Sequence, residues 1–317
     1  PRRPRGEAKP SLAKLYNTGM AVWKGPLGLV KGVHRALKGV PWAKRALYAL
    51  EGGVLRVLEG AMGFRTPPTD YPAFRLALLL GGFEPETVSH VRQVLKKGDV
   101  VVDVGAHVGY YARLFSELVG PEGLVVAVEP DPQNLSFLRR NLRGSRVRLF
   151  PVAVGREEGE ADLYVPPSNS GGKSLGRIPG GLLQGRVAVR PLSALLEEAG
   201  IGERRVRLLK LDAEGAEKDA LESLGPWASR VEQVVCELNA RTQRAFGYAP
   251  SDLVELLFEM GYSAFALLDP TGTEGEPAPL PSPFRKGWMG KEEVQGALEA
   301  LEPWPEDLVV NLAARRA

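Results

Sequence analysis

The sequence predicts an α/β fold with a mostly parallel sheet. Three observations carry this. Val100-Val101-Val102-Asp103-Val104 is a short apolar run bounded by Gly98-Asp99 and Gly105, the pattern of a fully buried strand. Gly105 and Gly109 follow it, then Val108, Leu114, Phe115 and Leu118 at helical spacing. From there strands and helices alternate along the chain.

In order, the segments read as follows. Helices are predicted over about 73–80 and 84–96, before the opening strand. The helix at 108–118 follows it. Leu124 to Val128 is the second strand, ending at Glu129-Pro130-Asp131, and Pro132 to Leu142 is a helix with proline in its first turn. Val147 to Val154 is a third strand. Residues 161–165 and 186–189 form a hairpin around the Gly/Ser-rich loop Ser168-Asn169-Ser170-Gly171-Gly172-Lys173-Ser174. Leu192 to Ala199 is a helix, Val206 to Leu211 the fourth strand and Ala216 to Leu224 a helix. Val231 to Leu238 is the fifth strand, Pro250 to Met260 a helix and Tyr262 to Leu268 the sixth strand. Residues 270–305 are rich in proline and read mostly as loop, and Leu308 to Leu312 is a last strand lying antiparallel.

With 317 residues the chain can hold one large α/β domain and an appendage. Its charge is uneven. Residues 1–65 carry 13 Lys/Arg against 3 Asp/Glu, and the remainder 28 against 35. The first 70 residues are therefore expected to be a basic, α-helical extension, and 71–317 the main domain. Cys236 is the single cysteine, so no intramolecular disulfide forms; its apolar neighbours make it a buried small side chain. A reducing, cytoplasmic setting is expected, with peripheral membrane contact through the arm left open. No apolar run reaches the roughly 20 residues of a membrane span. Scarce Asn and Gln beside abundant Arg, Glu, Leu, Ala and Pro point to a thermophilic source or a GC-rich genome.

The turn after the first strand distinguishes cofactors. It has no Gly-Lys-Ser/Thr ending, which a P-loop requires. Gly105-Ala106-His107-Val108-Gly109 lacks the middle glycine that admits a dinucleotide pyrophosphate. Asp103, two residues before the first glycine, can meet a cationic amino group. Glu129 ends the second strand, 24 residues after Gly105, where it can accept ribose hydroxyls. S-adenosylmethionine needs both partners, having an ammonium and a ribose and no phosphate. The competing reading of Asp103 and Glu129 is turn capping at solvated strand ends. A second cluster, Lys210-Leu-Asp-Ala-Glu-Gly-Ala-Glu217, brings ionisable groups to the end of the fourth strand. Glu217 reads there as an acidic first helical turn, and Asp212 as a site residue.

These stretches resemble the FkbM family of class I S-adenosylmethionine-dependent methyltransferases. The resemblance rests on Asp103-Val-Gly-Ala-His-Val-Gly-Tyr-Tyr111, Val128-Glu-Pro-Asp131, Pro151-Val-Ala-Val-Gly155, Leu209-Lys-Leu-Asp-Ala-Glu-Gly-Ala-Glu217 and Glu237-Leu-Asn239, in family order over about 84–240. It implies a Rossmann-like domain with a seven-stranded, mostly parallel sheet and one antiparallel strand. It implies O-methylation of a hydroxyl, often on a sugar or small natural product. It implies Asp103, Gly105 and Gly109 around the methionine part, Glu129 on the ribose and Val152-Ala153 beside the adenine. The candidate cofactor set also takes in Glu84, Ala106, His107, Tyr110, Pro130, Asn134 and Asp212. His107 departs from the family, which more often has Asn there.

Methyl transfer to an alcohol needs a base or a metal. The catalytic candidates are Asp212, Glu214, Glu237 and His107. Asp212, Glu237 and Asn239 offer oxygen ligands to a divalent metal; a metal-free set is the favoured of the two. His34 and His90 read as structural or exposed. Asn169, Ser170, Lys173 and Asn239 are candidate substrate contacts, the 168–174 loop being either a lid or a plain hairpin tip. Three readings of the basic arm stand: an anionic membrane surface, RNA, or a substrate cap or dimer arm. The leading expectation is an O-methyltransferase on a small hydroxylated or glycan acceptor, with an RNA methyltransferase or a membrane-associated cofactor-binding protein as alternatives.

Overall fold

The computed structural model describes residues 41–166, 170–177, 180–272, 278–280, 284, 286–306 and 308–317, with side chains from residue 52 onward. The expected helices within 11–40, and Asn169, lie outside the described residues.

Helices α1 (Pro41–Met62), α2 (Pro72–Leu80) and α3 (Pro85–Val94) precede β1 (Val100–Val104). Then come α4 (Tyr110–Val119), β2 (Leu124–Val128), α5 (Pro132–Asn141) and β3 (Val147–Phe150). Three strands outside the main sheet follow: β4 (Ala153–Val154), β5 (Gly159–Val165) and β6 (Leu182–Arg190). The chain continues with α6 (Leu192–Glu198), β7 (Val206–Leu211), α7 (Glu217–Glu222), β8 (Gln233–Asn239), α8 (Ala240–Gln243) and α9 (Pro250–Glu259). It closes with β9 (Ala264–Gly272), β10 (Met289–Gly290), α10 (Lys291–Leu301) and β11 (Leu308–Arg315).

The main sheet has the order β10-β9-β11-β8-β7-β1-β2-β3. The strands from β3 to β8 run parallel, β11 runs antiparallel between β8 and β9, and β10 runs antiparallel on β9. β1 is thus central, and alternation along it divides the core. Val100, Val102 and Val104 pack with Leu195, Leu221, Leu253 and Val294 on one face. Val101 packs with Leu78, Val91, Phe115 and Leu138 on the other. Each such buried valine stabilises the fold by about 1.5–3 kcal/mol. By the same alternation Asp103 shares the face of Val101, the side of α3, α4 and α5.

The N-terminal helices are fastened to this second face. Leu55, Met62 and Phe64 are buried in its core. Glu59 of α1 accepts the Thr66 hydroxyl at 2.6 Å and Arg75 Nη2 at 2.9 Å. Asn141 of α5 donates to the carbonyls of Arg65 and Val108. The connection from 64 to 72 is therefore tied through Asn141 to the turn that follows β1. No helix among the described residues is long and apolar enough to cross a membrane.

Four details differ from the sequence reading. The sheet has one strand beyond the expected seven, the two-residue β10, and so a second antiparallel member. The expected strand at 147–154 is two: at Pro151 the chain leaves the main sheet, and β4 pairs instead with β6 in a separate sheet of order β4-β6-β5. The helix after β1 starts at Tyr110, because His107 and Gly109 both have positive φ. The stretch expected to be loop contains α10, whose Val294, Ala297 and Leu298 are buried at helical spacing and whose Glu293 accepts the Gly290 N–H. Prolines on both sides of α10 obscure that short pattern in the sequence.

Candidate active site

The carboxyl ends of β1, β2, β7 and β8 meet in one place, because parallel strands bring their ends to a common edge. The turn after β1 is set by close packing. Gly105 has φ +78°, and a Cβ there would lie 1.7 Å from the Asp212 carbonyl oxygen. Gly109, at φ +90°, lies against Leu138. Both glycines are thus required by neighbouring protein.

Asp103 is 1% exposed, and neither carboxylate oxygen has a hydrogen-bond partner. Burial pushes its pKa up to about 7, with Asp212 adding to the rise and Lys210 opposing it. An ionised acid without donors is costly to bury. An acid so placed can accept from a further ammonium, the group that S-adenosylmethionine carries at its methionine end. Lys210, its neighbour across the strands, forms an ion pair of 2.9 Å with Asp212 and lies 4.6 Å from the Tyr111 ring centroid. Burial pulls the Lys210 pKa down, yet Asp212, Glu84 and Asp103 together hold it above its usual value. Glu84 sits at φ +44° before α3 and accepts the Tyr111 hydroxyl at 2.6 Å; burial raises it to about 7. Tyr110 donates to the Phe83 carbonyl.

Glu129 ends β2, buried. One oxygen accepts the Asp131 amide at 2.9 Å and Asn134 Nδ2 at 3.3 Å; the other accepts the His107 amide at 2.8 Å. Burial raises its pKa to about 7 against these donors. Two lone pairs per oxygen leave one acceptor position on Oε2, which suits a ribose hydroxyl. Pro130 follows Glu129, and the Ala106 amide donates to the Val128 carbonyl at 3.0 Å. Val152 and Ala153, both buried, mark the crossing from β3 to β4.

Asp212, Glu214 and Glu237 converge: one carboxylate oxygen of each lies within 4.8 Å of the others. Burial, with Asp212 and Glu217 nearby, raises the Glu214 pKa well above normal. Burial and the charges of Glu214 and Asp212 do the same to Glu237. Such a set can share a proton, accept one from an alcohol, or hold a hard cation through oxygen. Glu214 thus joins Asp212 and Glu237, while Asn239 lies beside Glu237. The Asn239 oxygen instead caps α8 by accepting the Arg241 amide, and its Nδ2 donates to Glu237 at 3.1 Å. Glu217 is turned into its own loop, accepting the Ala213 and Gly215 amides and the Tyr248 hydroxyl.

The hairpin loop lies across this constellation. Ser170 Oγ is 2.6 Å from His107 Nε2, and the Ser170 carbonyl accepts Asn134 Nδ2. Lys173 forms a buried ion pair of 2.6 Å with Asp131. Ser174 donates to the Glu214 carbonyl. Ser170 and Lys173 therefore touch the candidate cofactor residues. Sequence reasoning missed Asp70, Asp131 and Gln184. Asp70 holds Ser170 through both carboxylate oxygens. Asp131 caps α5 and binds Lys173 and Gln184. The Pro132 that follows Asp131 signalled the cap; Asp70 stood in a segment that reads only as a chain break.

Comparison with known proteins identifies the family of this chain. The model of the methyltransferase FkbM domain matches residues 103–264. The chain is 30% identical over 215 residues to 31-O-demethyl-FK506 methyltransferase FkbM of Streptomyces tacrolimicus, covering 57% of this chain and 79% of that protein. It is 41% identical over 61 residues to protein-L-isoaspartate O-methyltransferase of Methanothrix thermoacetophila, covering 19% of this chain and only 29% of that protein's length. A solved methyltransferase FkbM from Methylobacillus flagellatus is 17% identical, with 69% of this chain and 56% of that chain covered and a TM-score of 0.35. The domain is thus a Rossmann-like, S-adenosylmethionine-dependent methyltransferase domain. The chain belongs to the FkbM methyltransferase family.

Proposed function

We propose that the chain transfers the methyl group of S-adenosylmethionine to a hydroxyl of a small molecule or glycan. The convergence of Asp212, Glu214 and Glu237 within 4.8 Å carries this reading. The cofactor supplies a methyl group activated by a sulfonium. The protein must orient the acceptor and take its proton. Asp103 and Glu129 hold the two ends of the cofactor in this reading, next to the carboxylate set. Burial and the neighbouring carboxylates hold the Glu214 and Glu237 pKa values well above normal, so these two keep a proton more readily than an isolated glutamate. A carboxylate with a raised pKa is a stronger base toward an alcohol. The relative whose name specifies 31-O-demethyl-FK506 supports oxygen as the acceptor atom.

The test is transfer of label from methyl-tritiated S-adenosylmethionine into fractionated cell extract. Label in a hydroxylated small molecule or glycan is expected, and should disappear with Asp212→Asn. Label confined to RNA, lost in high salt, would replace this reading with an RNA methyltransferase.

A further inference from the structure

The carboxylate of Asp70 accepts both the amide and the hydroxyl of Ser170, at 2.9 and 2.7 Å. Ser170 Oγ is 2.6 Å from His107 Nε2. Asp70 and Ser170 are both buried, and Asp70 lies outside the family-matched residues 103–264. A serine hydroxyl has one proton, and here Ser170 Oγ donates it to Asp70 Oδ2. The Ser170 proton therefore belongs to Asp70, and Ser170 Oγ must accept from His107 Nε2–H. Burial lowers the His107 pKa to about 4, helped by Lys173 and opposed by Asp70, so the ring is neutral at neutral pH. A neutral ring protonated on Nε2 has an unprotonated Nδ1. Among the described residues Nδ1 makes no hydrogen bond, while the His107 amide is fixed on Glu129.

We infer that Asp70 is a positioning residue which, through Ser170, locks His107 as the Nε2-protonated tautomer, so that Nδ1 accepts a hydrogen bond from a hydroxyl of the bound ligand. Two ligands carry such a hydroxyl, the cofactor ribose and the acceptor alcohol. The hydroxyl-binding role rests on the proposed methyltransferase reading of the site; the tautomer does not.

Asp70→Asn tests the relay. The Ser170 amide still needs an acceptor, so the carboxamide oxygen stays there and its NH2 group faces Ser170 Oγ. That group donates, freeing the serine proton for His107 Nε2. The tautomer should then invert to Nδ1–H. Long-range 15N–1H spectra of the full chain labelled in histidine read this directly. The chain has three histidines, so His34→Gln and His90→Gln assign the signals. Wild type should show Nε2–H between pH 6 and 8, and Asp70→Asn should show Nδ1–H. Retention of Nε2–H in a folded Asp70→Asn protein overturns the proposal. If Asp70→Asn does not fold, Ser170→Ala replaces it: mixed tautomers are expected, and an unmixed Nε2–H ring overturns the lock.

Calorimetry with S-adenosylmethionine separates the two hydroxyls. About tenfold weaker binding in Asp70→Asn assigns the ribose. Unchanged binding with slower transfer of label to the cell-extract acceptor assigns the alcohol. An inverted tautomer with neither effect overturns the hydroxyl-binding role. Wild-type protein that binds no S-adenosylmethionine but shows the tautomer switch overturns the function reading and leaves the relay standing.

Discussion

Lys210 Nζ and Asp212 Oδ2 are 2.9 Å apart at the carboxyl end of β7, and the same ammonium acts on Glu84 and Asp103. One buried cation thus serves three acids on two strands and the entry to α3. Removing it leaves those acids without a counter-charge. Lys210→Met is expected to lower stability by about 3–5 kcal/mol, the usual cost of breaking a buried pair from one side. Urea unfolding at neutral pH checks this. A loss below about 1 kcal/mol would mean the acids are protonated in the wild type.

Two glycines with similar backbone angles should respond differently to alanine. Gly105 at φ +78° has the Asp212 carbonyl 1.7 Å from an added Cβ, whereas Gly144 at φ +84° has nothing within 4 Å. Gly144→Ala carries only the left-handed backbone cost of about 1–2 kcal/mol. Gly105→Ala adds a backbone clash and should cost about 3 kcal/mol or more. Equal melting-point shifts would show that the turn after β1 yields without strain.

Cofactor binding should depend on pH through Asp103. Its native pKa of about 7 lies above the usual value near 3.9 for an unfolded aspartate. Its contribution to stability is therefore full below about pH 4 and lost as pH rises through 7. Binding an ammonium favours the ionised form, so affinity should rise with pH up to about 7, by at most tenfold per unit, and then level off. Binding at pH 6 should release a proton, seen as a dependence of calorimetric heat on buffer ionisation enthalpy. Glu129 has a similar pKa, so the experiment is repeated in Asp103→Asn, where most of the dependence should vanish.

The carboxylate set distinguishes a base from a metal site. Glu237→Gln should reduce transfer to the extract acceptor by about 10²–10⁴-fold, the range for loss of general base catalysis. EDTA should leave wild-type transfer unchanged. Activity lost on chelation and restored by Mg²⁺ would instead make Asp212, Glu214 and Glu237 ligands.

Much of this site was readable from strand ends. A valine run broken by glycine fixed β1, Glu129 and Asp212 follow from where apolar runs stop, and Asp103 and Glu237 lie just inside the ends of their strands. The hairpin of β5 and β6 was also expected, with its second strand starting at 186 where β6 begins at Leu182. What periodicity could not supply was the pairing of distant segments. The Asp70 contact with Ser170 spans 100 residues and follows no periodicity. The capping bond of Asn239 at α8 follows no periodicity either. The turn of β4 out of the main sheet left no mark beyond Pro151, which does not distinguish a bend from a strand end.

The position of β11 has a consequence for biosynthesis. Residues 308–315 are not at the rim; they separate β8 from β9, and Asn311 faces both Glu237 and Leu268. Until that segment has left the ribosome, β8 and β9 have no common partner, and two apolar strand edges stand open. The strand ends of the candidate site are all synthesised well before the sheet that supports them can be sealed. Nascent chains arrested anywhere between residues 264 and 308 would therefore be the species most exposed to edge-to-edge aggregation, and the ones most dependent on chaperone cover.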